Sequence, residues 1–140
     1  FGKIASLICF DSIYEPLAYD AVRNGAELIA ISTNDSWFND SSAVYEHNAH
    51  SVLRAVENGR YIVRAANTGI SSVISPSGEI KDMLPPLVEG QISCDVTFSD
   101  KRTLYSEAGN ILVPFSVFIL AASSVIIRMK GKRTNDGHCC

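Results

Sequence analysis

The chain has 140 residues, of which 46% are hydrophobic and 19% are charged, so it is long enough to bury the core of one domain. Its formal net charge of −3 divides into −6 over residues 1–127 and +3 over residues 128–140. An acidic body with one short basic cluster argues against a nucleic-acid-binding protein. The cysteines form no CxxC motif and suggest no zinc site or disulfide framework, so Cys9 and Cys94 are expected to be free thiols.

The first part of the chain alternates apolar runs with helical patterns. Pro16 suits the first turn of a helix and Gly25 suits the position just after its end. The spacing predicts two parallel neighbouring strands joined by this helix. The predicted elements are a strand at Lys3–Phe10, a helix at Tyr14–Asn24, a strand at Ala26–Ser32 and a polar loop at Thr33–Ser42.

A second helix is predicted at Ala43–Asn58 and ends at Gly59. Apolar residues recur at helical spacing and predict the buried face, namely Ala49, Val52, Leu53 and Val56. A second row of residues predicts a polar face, namely Glu46, His50, Arg54 and Glu57. The charged residues of "RAVENGR" are expected to lie on the surface or to form ion pairs rather than to take part in catalysis.

Three further strands follow, and the turn "SPSGEI" comes after the second of them. The pattern predicts these strands at Tyr61–Ala66, Ser71–Pro76 and Gly90–Val96. There are no internal repeats. The order of the elements predicts a layered α/β domain over residues 1–107.

The segment Ile111–Ile127 has 17 residues and no charge. As a helix it would be about 25 Å long, whereas the hydrocarbon core of a lipid bilayer is roughly 30 Å thick. Adding residues 108–110 to the helix supplies the missing length. A buried core helix is the alternative. The basic cluster "RMKGKR" at Arg128–Arg133 favours a transmembrane helix at 108–127, a cytoplasmic tail at 128–140 and an extracytoplasmic domain before them.

Three polar segments follow the first three strands and are predicted to meet at one edge of the sheet. They are Cys9–Asp11, Thr33–Phe38 and Asn67–Gly69. Because ligands of parallel α/β sheets bind beyond the carboxyl ends of the strands, Cys9 lies where a nucleophile would. The ordinary alternative is a small buried hydrophobe, as expected for Cys94 in mid-strand.

Other residues near this edge have two interpretations each. His47 and His50 are candidate bases for a thiol, but they are three apart on one helix, so one is expected to pack and the other to be solvated. Asn34, Asp35 and Asn67 are candidate site residues or ordinary turn and cap residues. Trp37 is a candidate wall of the cleft or an ordinary core aromatic.

Over residues 4–127 the sequence resembles the carbon–nitrogen hydrolase (nitrilase-like) superfamily, and within it the apolipoprotein N-acyltransferases. Four features in order carry the resemblance: a cysteine ending a strand in "LICFD", "TNDSWF" after the next strand, "RAVENGRYIVRAANTGIS" after a helix, and "TLYSEAGN" before the apolar segment. The last feature separates the membrane acyltransferases from soluble amidases. The resemblance implies part of an α-β-β-α sandwich followed by one C-terminal transmembrane helix, in a multi-pass protein of the cytoplasmic membrane.

The resemblance also implies an activity. Members transfer an acyl chain from a phospholipid, through a cysteine thioester, to the N-terminal amine of a diacylglyceryl-modified apolipoprotein, and they need no cofactor and no metal. Cys9 matches the nucleophile of a Cys–Glu–Lys triad, and Trp37 matches an aromatic residue near the site. Phe10 and Asp11 replace the usual Tyr and Glu, and with Asn34 and Asn67 they are expected to line or support the site.

The family's glutamate and lysine precede its cysteine by more than the eight residues found before Cys9. We therefore expect these 140 residues to be inactive alone. Two other functions stay open: a nitrilase-like amidase acting on small amides, and a non-catalytic truncated domain.

Overall fold

The computed structural model describes the backbone of residues 2–135 and the side chains of residues 2–128. The chain divides into two compact units, the first ending at Gly109 and the second beginning at Asn110. Most of the predicted basic tail, with Cys139 and Cys140, lies outside the described side chains.

The first unit contains one five-stranded sheet in the order β1-β2-β3-β4-β5. The first three strands are parallel and the last two are antiparallel to their neighbours. The predicted strand–helix–strand–helix order and the parallel pairing of the first two strands are thereby confirmed. The elements are β1 (Ile4–Ile8), a 3-10 turn (Cys9–Ser12), α1 (Glu15–Arg23), β2 (Leu28–Asn34), α2 (Ser42–Asn58), β3 (Ile62–Asn67), β4 (Ser71–Ile74), β5 (Ile80–Leu84) and α3 (Leu104–Ala108).

The register of the parallel strands places their carboxyl ends together. Ile8 of β1 is opposite Ser32 of β2, and Asn34 of β2 is opposite Asn67 of β3. The apolar core lies between the sheet and the two longer helices of this unit, and its members are Leu7, Ala18, Val22, Ile29, Ile31, Ala55, Ile62 and Ile74. This core fixes the edge at which the polar segments meet.

Helix α2 buries a third, largely polar face, so the predicted buried face is wrong except for Val52, which packs against the core. Leu53 and Val56 are 51% and 48% exposed. The buried residues of this helix are Val44, His47, Asn48, Ser51, Arg54, Ala55 and Asn58. The sheet beneath the helix carries polar groups that demand partners. Arg64 of β3 donates to Ser51 Oγ over 3.2 Å, and Ser72 of β4 donates to Asn48 Oδ1 over 2.8 Å.

Two predictions about the later strands are also wrong. The predicted strand Gly90–Val96 has no strand structure, and Cys94 within it is half-buried rather than part of the core. The strand that pairs with β4 is instead β5, which begins inside the predicted turn. Gly78, with φ +84°, closes the turn and returns the chain antiparallel to β4.

The arginines of "RAVENGR" are buried, but one of them does form the expected ion pair. Arg54 donates to Glu57 Oε1 over 2.8 Å and to the Ile13 carbonyl over 3.0 Å. Arg60 is 1% exposed and donates to the carbonyls of Ala26, Asn58, Gly59 and Lys101. The guanidinium of Arg60 therefore joins the start of β2, the end of α2 and the segment that leads to α3.

The second unit is described by itself. Its helix, α4, spans Leu112–Asn135, and almost all of its side chains from Leu112 to Arg128 are exposed. Within the part of the chain whose side chains are described, no helix has the length and apolarity needed to cross a membrane. The transmembrane helix stays a prediction.

We expect Arg60→Met to lower the free energy of unfolding by about 2–4 kcal/mol, because buried carbonyl groups would lose their charged donor. Arg102→Met is the matched control, since Arg102 is exposed and donates one 3.3 Å bond to the Arg23 carbonyl. Urea denaturation of both variants measures the difference. Equal effects of the two substitutions would contradict the joining role of Arg60.

Candidate active site

Cys9 lies at the start of the turn that follows β1, and its backbone is left-handed, with φ +53°. A non-glycine residue in this region costs about 1–2 kcal/mol, and such strain is common at active sites. Local hydrogen bonds hold the turn. Asp11 Oδ2 accepts from the Ile8 amide at 2.9 Å, and Ser12 Oγ donates to the Cys9 carbonyl at 2.9 Å. The thiol is free and half-buried.

A buried cluster of charged and polar side chains lies beneath this turn. Asp35, which follows β2, is 1% exposed, and one of its carboxylate oxygens lies 2.9 Å from Arg64 Nη2. The other oxygen accepts from Thr33 Oγ1 at 2.9 Å and lies 2.9 Å from His47 Nδ1. Asp35 is thus a buried carboxylate with three hydrogen-bonding partners, as a buried charge requires.

The ring of His47 connects Asp35 to the turn. Since the carboxylate can only accept, Nδ1 of His47 must carry the proton that it donates to Asp35. Nε2 therefore faces the turn, where it lies 3.2 Å from Ser12 Oγ and 3.3 Å from the Cys9 carbonyl oxygen. The Ser12 hydroxyl has both Cys9 O and His47 Nε2 within reach as acceptors.

Arg64 supplies the positive charge of the cluster. Burial lowers the pKa of its guanidinium from the ordinary value, while Asp35 and the negative form of Cys9 raise it. An arginine remains charged under these conditions.

The loop after β3 closes over Asp35. Gly69 has no room for a side chain, because an added Cβ would lie 2.2 Å from Asp35 Oδ2. Before it, Asn67 Nδ2 donates to Asn34 Oδ1 over 3.1 Å, and Asn34 Oδ1 also accepts from the Ser36 amide. Asn34 and Asn67 thus bind each other across the ends of β2 and β3.

Aromatic rings cover the cluster from the solvent side. Phe10 stacks on His47, with ring centroids 5.4 Å apart and planes at 20°, and it meets Phe38 edge-on. Phe10 is nevertheless 48% exposed and Trp37 is 71% exposed. The predicted alternative of Trp37 as a core aromatic is therefore wrong.

The structure brings the predicted segments together at one edge, and it gives several candidates definite contacts. Asp11, Asn34 and Asn67 support turns, whereas Phe10 and Trp37 are exposed and Cys9 is half-buried. His47 is buried and His50 is half-buried, and His50 Nδ1 has no hydrogen-bond partner among residues 2–128.

Sequence reasoning missed the cluster itself, above all Ser12 and Arg64. One signal was available in "YIVRAA". Its arginine, Arg64, lies two residues after Ile62 and therefore on the same buried face of the strand. A charged residue at a core position of a strand indicates a buried partner of opposite charge.

Among the side chains that the structure describes, no group of three His, Cys, Asp or Glu residues is arranged to hold a metal ion. The chemistry available at the edge is that of a thiol in a strained turn.

Comparison with known proteins identifies the family. The profile of the carbon-nitrogen hydrolase family matches residues 1–104. The chain belongs to this family. The resemblance predicted from the sequence is confirmed.

Curated relatives of this carbon-nitrogen hydrolase chain include apolipoprotein N-acyltransferases. It is 36% identical over 137 residues to that of Geobacter metallireducens, covering 98% of this chain and 26% of the relative. It is 35% identical over 130 residues to that of Thermotoga maritima, covering 93% of this chain and 26% of that relative. The chain therefore spans about a quarter of the length of these relatives.

Solved structures share the α/β nitrilase-like fold. A carbon-nitrogen hydrolase from Helicobacter pylori G27 aligns with a TM-score of 0.57 at 16% identity, covering 63% of this chain and 38% of the other. An amidase variant from Nesterenkonia sp. AN1 aligns with a TM-score of 0.52 at 25% identity, covering 59% of this chain and 34% of the amidase chain. That structure shows an acetamide moiety added covalently at the active-site cysteine of the amidase. The predicted fold class is confirmed for the α/β domain.

We expect Gly69→Ala to lower the free energy of unfolding by about 1–3 kcal/mol, because the new methyl group would displace the Asp35 carboxylate. Gly90→Ala is the control, since its Cβ would meet only the flexible Leu84 side chain, at 3.2 Å. Thermal unfolding measures both variants. A Gly69→Ala variant as stable as Gly90→Ala would show that the loop does not close on Asp35.

Proposed function

We propose that this chain is the part of an apolipoprotein N-acyltransferase that carries its nucleophile. The proposal rests on Cys9, a free thiol in a left-handed turn at the carboxyl edge of three parallel strands. Its support from comparison is the similarity to apolipoprotein N-acyltransferases over as much as 98% of the chain.

The proposed reaction has two acyl transfers. The Cys9 thiol loses its proton and its sulfur attacks an ester carbonyl of a phospholipid. The carbon–oxygen bond breaks, and the lysophospholipid leaves as an alcohol after taking up a proton. The free amine of the apolipoprotein's diacylglyceryl-modified cysteine then attacks the thioester, so an amide forms and the thiol of Cys9 returns. No cofactor or metal is consumed.

The residues around Cys9 would serve this reaction in different ways. The hydrogen bonds of Asp11 and Ser12 hold the turn, and the exposed rings of Phe10 and Trp37 offer apolar surface to an acyl chain at the same edge. The resemblance assigns the base and the oxyanion-stabilising lysine to a glutamate and a lysine upstream of the cysteine. We therefore propose that the 140 residues alone do not transfer an acyl group.

The proposal includes a membrane location. Residues 111–127 carry no charge and "RMKGKR" follows them. We propose that this segment spans the cytoplasmic membrane of a multi-pass protein, with residues 1–107 on the extracytoplasmic side and the tail inside. Both substrates carry membrane-bound acyl chains, so such an anchor would keep the thiol at the surface where they reside.

We expect the full-length protein, incubated with phospholipid, to gain an acyl group on Cys9 that neutral hydroxylamine removes, as it removes thioesters but not oxygen esters. Cys9→Ser should abolish this hydroxylamine-sensitive mass increase, while Cys94→Ser should leave it unchanged because Cys94 lies outside the three segments that follow the parallel strands. Intact-protein mass spectrometry measures the mass. A hydroxylamine-sensitive acyl group that persists in Cys9→Ser would refute the assignment.

We expect the two ends of the chain to lie on opposite sides of the membrane. In spheroplasts, a membrane-impermeant maleimide should label a Glu89→Cys variant, whose position is exposed in the domain. It should label Cys139 and Cys140 only after permeabilisation. Peptide mapping distinguishes the sites, and labelling of all of them in intact spheroplasts would contradict the proposed span.

An amidase acting on small amides is the second candidate, favoured by the amidase structure that aligns at 25% identity. It would use the same thiol but would release ammonia from the amide. Assays of ammonia and of acylated lipoprotein peptide on one preparation discriminate between the two. A full-length protein that makes neither product is the outcome expected of a non-catalytic domain.

A further inference from the structure

The turn that presents Cys9 is linked to the interior by a continuous series of buried groups. Arg64 pairs with Asp35, Asp35 accepts from His47, and His47 Nε2 faces Ser12 Oγ and the Cys9 carbonyl oxygen. The exposed fractions along this series are 1%, 1%, 3% and 0% for Arg64, Asp35, His47 and Ser12. These four residues come from β3, the end of β2, α2 and the turn after β1.

The contacts of His47 differ from those of a base for the thiol. Within the described residues, His47 Nδ1 donates to Asp35, and Nε2 accepts from the Ser12 hydroxyl and lies 3.3 Å from the backbone oxygen of Cys9, whereas no hydrogen bond of the ring ends on the Cys9 sulfur. The ring therefore acts on the turn of the nucleophile through the Ser12 hydroxyl. Phe10, stacked at 5.4 Å, limits the rotation of the imidazole.

A left-handed cysteine needs such support. The φ of +53° at Cys9 persists only where neighbouring groups determine the backbone, and here the Ser12 hydroxyl lies between the Cys9 carbonyl oxygen, at 2.9 Å, and His47 Nε2, at 3.2 Å. A change in that carbonyl's orientation changes ψ of Cys9 and the path of the turn. The direction of the thiol then depends on the buried series.

We infer that Asp35 and His47 are positioning residues, which hold the Cys9 turn in its left-handed form and so set the reactivity of the thiol. Asp35 acts through the imidazole, since it fixes the Nδ1–H tautomer and directs Nε2 to the turn. This inference rests on the proposed function in taking Cys9 as the nucleophile, but it concerns the reactivity of the thiol without any lipid.

The test uses the full-length protein and iodoacetamide as the probe. The second-order rate of alkylation is measured separately for Cys9 and for Cys94 by peptide mass spectrometry, in the absence of phospholipid. We expect His47→Gln and Asp35→Asn each to slow alkylation of Cys9 tenfold or more and to leave the rate at Cys94 within twofold. His50→Gln, three residues further along α2, is the matched control and should leave both rates unchanged.

A milder variant keeps the test informative if the buried substitutions impair folding. Ser12→Ala removes one hydroxyl group from the turn and should slow alkylation of Cys9 severalfold, with Ser12→Thr restoring much of the rate. An unchanged or faster Cys9 rate in the folded variants would overturn the inference. Parallel changes at Cys9 and Cys94 would also overturn it, because they would show general loosening of the fold.

The thioester measurement separates this inference from the proposed function. If the unaltered protein forms no acyl-thioester but Cys9 alone loses reactivity in the variants, the acyltransferase proposal fails and the inference stands. If the thioester forms and the variants alkylate at the unaltered rate, the acyltransferase proposal stands and the inference fails.

Discussion

The buried carboxylate of Asp35 is the constraint on which the rest of the first unit depends. A charge in a protein interior must be matched by opposite charge and hydrogen bonds, and Asp35 obtains these from Arg64, His47 and Thr33. These partners lie on β3, α2 and β2. Satisfying one carboxylate therefore fixes two neighbouring strands and a helix relative to one another.

The same constraint explains the orientation of α2. Its apolar residues would favour burial, but Arg64 beneath the helix needs Ser51, and Asp35 needs His47. Leaving those polar groups unmatched costs more than exposing Leu53 and Val56, since an exposed apolar side chain is common and an unpaired buried charge is not. The face that carries His47 and Ser51 turns inward and leaves Leu53 and Val56 on the outside.

The first two strands, the first two helices and the polar edge could be predicted from the sequence. These elements depend on local apolar runs and on the helix start and end signals of Pro16, Gly25 and Gly59. The sequence did not allow the buried face of α2 to be predicted. That face is determined by Arg64, which becomes adjacent to Ser51 only in the folded chain. Nor did local pattern distinguish β5 from Gly90–Val96, because pairing with β4 depends on the turn at Gly78.

A double-mutant cycle between Asp35→Asn and Ser12→Ala tests the continuity of the buried series most directly. The two side chains share no hydrogen bond, and His47 lies between them. If the series holds the Cys9 turn, their effects on the free energy of unfolding should differ from additivity by about 1 kcal/mol or more. Additivity within about 0.3 kcal/mol would show that the carboxylate and the turn are independent.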